Sequence, residues 1–112
     1  MITVEKLTEM GCNTKDGLAR CMNNEKFYLK MLPVAIKDNH FDLLEKAIAD
    51  KDMKAAYEAA HAIKGSTGNL GLTPIYKTIS KMSDMLKAGM NADYASIYKI
   101  VKTEREKFLS LL

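Results

Sequence analysis

The sequence predicts an all-α protein, a bundle of antiparallel long helices with short additional helices at its N-terminus. Three observations predict it. Apolar residues recur at helical spacing from residue 25 to the C-terminus, and no stretch alternates with the two-residue period of a strand. The breaks between helical segments are also short, so neighbouring long helices should run antiparallel.

Thr3 caps a first short helix with Val4, Leu7 and Met10 as its apolar side, ending at Gly11. Asn13-Thr14 starts a second short helix holding Leu18, Cys21 and Met22, and Asn23-Asn24 break it. A longer helix follows from Glu25, with Phe27, Tyr28, Met31, Leu32, Ala35 and Ile36 on its inner side and an expected kink at Pro33. Asp38-Asn39-His40 is a break, with His40 a turn residue, and Phe41 to Ala49 resumes the period through Leu44, Ala47 and Ile48. Asp50-Lys51-Asp52 caps the next helix, which runs from Met53 toward Leu72. Thr73-Pro74 reads as an N-cap followed by proline at the first helical position, opening a helix with Ile75, Ile79, Met82 and Leu86 on one side and a stop near Gly89. Asn91 is the expected cap of the last helix, whose stripe is Tyr94, Ile97, Tyr98, Val101, Phe108 and Leu111. Residues 1–112 are expected to form one domain, with short helices over 1–22 and the bundle helices over 25–112.

Composition narrows the function classes. Apolar residues make up 47% and charged residues 28%, the range of a water-soluble globular protein. Eight methionines and no tryptophan suit an adaptable helical core. No apolar run approaches the ~18 residues that span a bilayer, and MITVEKLTEM is not a signal peptide, so a cytoplasmic protein with no membrane partner is expected. Cys12 and Cys21 fit neither a disulfide framework nor a zinc motif and read as free thiols. A net charge of +3, scattered along the chain, does not argue for nucleic acid, though it suits a partner with an acidic rim. The chain begins with Met1 and ends after a full helix, which fits a free-standing protein and equally a trimmed one.

The stretch MKAAYEAAHAIKGSTGNLGL, residues 53–72, concentrates the chemistry. At steps of about 100° around a helix axis, Ala56, Ala59, Ile63, Thr67 and Leu70 cluster roughly 200° from His61. Lys54, Tyr57, Glu58, Lys64, Gly65 and Gly68 fall within about 60° of it. The apolar stripe therefore points one way and His61 the other, toward solvent. Each glycine costs a helix interior about 1 kcal/mol relative to alanine. Gly65 and Gly68 do not face the core, so access is the expected reason: they clear a landing site beside His61 for another protein. Lys64, one turn on, places an ammonium beside anything bonded to the imidazole and favours a phosphoryl group there.

His61-Ala-Ile-Lys64-Gly65-Ser66-Thr67-Gly68-Asn69-Leu70-Gly71 resembles the signature of histidine-containing phosphotransfer (HPt) domains of two-component phosphorelays, H-x-x-K-G followed by small residues and a hydrophobic-Gly pair. The resemblance extends over the whole length, in size and in the order of helical segments. It implies a four-helix bundle, and a phosphocarrier in which His61 accepts a phosphoryl group from a receiver-domain aspartyl phosphate and passes it to another receiver aspartate. It implies receiver domains as partners, with a hybrid histidine kinase as a further one, and no cofactor on this chain, since the receiver brings Mg²⁺, a lysine and the aspartate. Lys64 would stabilise the phosphate, while Gly65, Gly68 and Tyr57 would form the access and docking face. In some relatives a basic residue on the following helix lies near the phosphate; Lys87 takes about that position, with an ordinary solvent-facing charge as the equal alternative. Where the family often has Glu or Gln facing the histidine, this chain has Ser83, with Asp84 beside it. With all the apolar stripes usable inside one bundle, a monomer is expected.

Other chemistries fail on spacing. Gly65-x-x-Gly68-x-x-Gly71 is not a dinucleotide fingerprint, Lys64-Gly65-Ser66 is not a P-loop, and the two histidines have no carboxylate cluster at metal-ligand spacing. The chain thus carries no nucleotide site and is not expected to be an enzyme that uses ATP. Two competing functions remain open. One is the substrate domain of a larger, chemotaxis-type or hybrid kinase that phosphorylates it directly from ATP; the other is a bundle that only binds a partner.

Overall fold

The computed structural model describes residues 2–112 and consists of helices joined by short turns: α1 (Val4–Glu9), α2 (Thr14–Arg20), α3 (Glu25–Ile36), α4 (His40–Ala49), α5 (Met53–Asn69), α6 (Thr73–Lys87) and α7 (Tyr94–Leu109). Met1 lies outside the described residues. Helices α4 to α7 form the antiparallel four-helix bundle. The α5 helix packs chiefly on α4 and α6, and α7 closes the ring against both. Its inner face is Ala56, Ala59, Ala60 and Ile63, all buried. Three alanines let the flanking helices approach closely, and the isoleucine fills the space left between them. Among the described residues no helix is long and apolar enough to cross a membrane.

Five helix ends are closed in the same way. After α1, α2, α4, α5 and α6 a residue with positive φ is followed by a backbone N–H that reaches back over the last turn. At the end of α5, Gly71 (φ +67°) donates to the Gly68 carbonyl at 3.2 Å and Leu72 donates to the Thr67 carbonyl at 2.9 Å. This pairing satisfies carbonyls that the helix itself leaves unpartnered. Glycine takes the left-handed position in three of the five turns; Met22 (φ +58°) takes it after α2 and Lys51 (φ +57°) between α4 and α5.

The short N-terminal helices are fastened to the end of α5. Asn13 donates its N–H to the Gly71 carbonyl at 2.8 Å, and the buried Tyr28 hydroxyl on α3 donates to the Leu70 carbonyl at 2.8 Å. Gly17 in α2 lies so close that a Cβ there would stand 2.5 Å from the Leu70 oxygen. A second tie uses α7, where Arg105 stacks 4.4 Å from the centre of the Phe41 ring and donates to the Ile36 carbonyl, tying down the end of α3. The Tyr98 hydroxyl donates to the Phe41 carbonyl at 2.9 Å.

Several expectations are corrected. Met22 is 89% exposed and sits with Asn23 in a left-handed turn, so it is a loop residue and not part of an apolar side. Phe27 is 47% exposed, on the outer edge of α3. The cap of α7 is Asp93, not Asn91: its carboxylate accepts from both the N–H and the hydroxyl of Ser96. Thr73 is the first residue of α6 and not its cap, because its hydroxyl donates to the Gly71 carbonyl instead of accepting from the helix.

Two predictions follow from the packing of the N-terminal helices. In Gly17→Ala the new Cβ collides with the Leu70 carbonyl and the Tyr28 ring, so the variant should unfold at lower urea, with a loss of about 1–3 kcal/mol. The second concerns alkali. Burial pushes the Cys12 thiol up to about 11 and the Tyr28 and Tyr98 phenols up to about 12. The unfolded chain releases these protons at lower pH, from its ordinary values of 9.0 and 10.0. The contribution of these three groups should be constant between neutrality and about pH 9 and be lost progressively as pH rises from there toward 12, read as urea midpoints across that range.

Candidate functional site

The histidine helix presents two opposed faces, as its spacing requires. Ala56, Ala59, Ile63, Thr67 and Leu70 are buried and His61 is exposed. The Thr67 hydroxyl, though in the core, donates to the Ile63 carbonyl at 2.7 Å, so the helix itself satisfies it. Asp52 starts α5, its carboxylate accepting from the Ala55 N–H at 3.1 Å.

Around His61 the expected residues separate into those that gather and those that do not. Tyr57, one turn before it, is half-buried and stacks on the imidazole with ring centres 5.6 Å apart and planes 26° from parallel. Lys64, one turn after it, reaches across to α6, where its Nζ lies 3.7 Å from the Asp84 carboxylate. A Cβ built on Gly65 would meet open space. Gly68 is different, because a Cβ there would stand 2.9 Å from the ring of Tyr76 on α6. Gly68 therefore does not serve access alone: it is small so that an aromatic ring can seat against α5. Lys87 is exposed in the last turn of α6 and does not line the groove beside His61. Ser83 is 2% exposed, on the core side of α6, and Asp84 beside it is the partner of Lys64.

The concavity beside the histidine is an open groove of about 520 Å³. One wall is α5 with His61, Lys64, Gly65 and Gly68; Tyr76 and Thr73 of α6 close the end. The opposite wall is α2, with Asn13, Asp16 and Arg20. Arg20 donates from Nε to Asp16 at 3.0 Å, an exposed pair. Exposed pairs of this kind contribute about 0–1 kcal/mol, so both Arg20 and Lys64 can exchange carboxylates for another anion at small cost. The groove-lining charges are those two cations, with Asp16 as the carboxylate among them.

Asn13, Asp16, Arg20 and Tyr76 escaped the reading of the sequence. A signal existed for the first three: Gly17, a glycine inside a short helix, marks a close approach of that helix to another backbone. Nothing local marks Tyr76, which pairs with Gly68 only once α5 and α6 are folded against each other. Among the described residues no three His, Cys, Asp or Glu side chains converge on a point that could hold a metal ion.

Comparison with known proteins adds the family. Residues 38–107, which run from the start of α4 through most of α7, match the Hpt domain. The chain is also similar to cobra venom factor of Naja kaouthia, 30% identical over 90 residues. That stretch is 80% of this chain and 5% of that protein, so the chain spans a small part of its length and the likeness carries no functional argument. No solved structure matches significantly. With a helical bundle of the right kind and a family match over more than half its length, the chain belongs to the Hpt domain family, the histidine phosphotransfer domains of phosphorelays.

Proposed function

We propose that His61 is the phosphoryl acceptor and donor of this domain, taking the group from a receiver-domain aspartyl phosphate and passing it to another receiver aspartate. One observation carries the reading. An exposed imidazole stands mid-helix at an open groove, with a lysine one turn on and an unobstructed glycine next to that lysine, inside the segment that matches the family.

The chemistry asks little of this chain beyond a nucleophile and a charge. At pH 7 an imidazole offers a nitrogen lone pair without needing a base. As the N–P bond forms, the P–O bond to the aspartyl carboxylate breaks and its electron pair leaves with the carboxylate. The loose transition state spreads negative charge over three phosphoryl oxygens. Lys64 supplies a cation there by releasing Asp84, and the receiver supplies Mg²⁺, a lysine and the acceptor aspartate. Lys87, outside the groove, is left as an ordinary solvent-facing charge in this reading. The chain acts as a phosphocarrier that draws on no ATP site of its own. A single copy suffices for this reading.

The receiver would dock across Gly65 and the Tyr76 end of the groove, with α2 as a side wall. Close approach matters because an in-line transfer tolerates only a small misplacement of the reacting atoms.

Incubation with a ³²P-phosphorylated receiver domain tests the acceptor. Wild type should take up acid-labile, base-stable label, and His61→Gln should take up none while melting at the wild-type temperature. Label on His61→Gln equal to wild type would sink the assignment. Docking is tested by Gly65→Leu. Because a side chain there meets open space and leucine is a better helix former, its melting temperature should equal or exceed that of wild type. Transfer from the receiver should fall by more than about tenfold. Wild-type transfer rates in that variant would remove the docking argument.

A further inference from the structure

The chain has two histidine rings, and they are held differently. That of His40 is hydrogen-bonded through Nδ1 to Asp38 at 2.7 Å. That of His61 makes no hydrogen bond among the described residues, and its ring contact is the stack on Tyr57. On the facing helix, Ser83 is turned into the core and Asp84 is taken up by Lys64, so neither orients the imidazole. Tyr57 is packed against the hydrophobic core, whereas His61 is exposed. The anchored ring therefore sets the position of the free one.

We propose that Tyr57 is the positioning residue of phosphotransfer in this chain, holding the His61 imidazole by stacking and supporting the positive charge the ring carries on bonding to phosphorus. The inference rests on the reading of His61 as the nucleophile. Side chains on a helix lean toward its N-terminus, so a ring at i+4 lies over a ring at i. The 5.6 Å separation and 26° tilt fall within the range of attractive offset stacks. When one imidazole nitrogen attacks phosphorus, the other still carries its proton, and the ring is a cation until that proton passes to water. The face of a tyrosine ring is negative and attracts such a cation. The stack also leaves both nitrogen edges free, which an orienting hydrogen bond to one of them would not.

The test uses phosphoramidate, a small phosphoryl donor that needs no docking partner. Its P–N bond breaks, ammonia leaves, and the N–P bond to the imidazole forms. The full chain is compared as wild type, Tyr57→Phe, Tyr57→Leu and Tyr57→Met, with phosphohistidine followed by ³¹P NMR and folding checked by thermal melting. Leucine and methionine keep apolar packing but have no aromatic face. Tyr57→Phe should react within about twofold of wild type, and the other two about fivefold more slowly. The imidazole C–H protons of His61 should be shifted upfield in wild type and Tyr57→Phe and lose that shift in Tyr57→Leu and Tyr57→Met. Wild-type rates in Tyr57→Leu and Tyr57→Met would overturn the inference, as would an equal slowing in Tyr57→Phe. If wild type itself takes no phosphate, the reading of His61 as nucleophile fails, and the inference fails with it.

Discussion

The last turn of the histidine helix is the point on which the rest of the structure depends. A helix leaves its final carbonyls without partners. Here those of Thr67 and Gly68 are taken by the turn itself, that of Leu70 by the Tyr28 hydroxyl and that of Gly71 by the Asn13 N–H. The satisfaction of α5 and the attachment of the N-terminal helices are thus one set of bonds. Tyr28 is fully buried, and a hydroxyl at that depth needs a partner, which makes the bond more specific than its modest net free energy suggests. Because α2 is fixed there, the groove beside His61 has a second wall.

Most of the fold was legible in the sequence because a helical bundle is written in local patterns. The period of apolar residues in α5 placed Ala56, Ala59, Ile63, Thr67 and Leu70 inward and His61 outward, and each lies where the period put it. Asp52 announced the start of that helix, because capping chemistry is local. The failures have a common cause. Asn91 and Asp93 are both good caps, and the choice between them was decided by the hydroxyl of Ser96, which gives Asp93 a second bond. Met22 and Phe27 fit an apolar period, but in so short a chain the core is filled before it reaches them.

The site was legible in its parts but not in its arrangement. His61, Lys64 and Gly65 share a helix face, and helix geometry alone brings them together. Tyr57 belongs to that face too, though the spacing could not show that its ring would lie against the imidazole. Gly68 was misread because a glycine on an outward face looks the same whether it leaves room for solvent or for a ring on another helix. Lys87 is in sequence an apt second cation, yet it lies outside the groove, since its distance from His61 is set by how two helices register and not by spacing along one.

The short turns between α4, α5, α6 and α7 carry a consequence for how the molecule is assembled in time. Each of these helices packs mainly on its neighbour in the chain, so the histidine helix acquires both its flanking helices through closures of only a few residues, which carry little entropy cost. The links to the N-terminal region join residues far apart along the chain: Tyr28 reaches Leu70, and Arg105 reaches Ile36. Closing the ring is itself a distant contact, since the Tyr98 hydroxyl of α7 reaches the Phe41 carbonyl of α4. The groove beside His61 thus draws on both kinds of contact: short closures set α5 between α4 and α6, and distant ones bring α2 to its side.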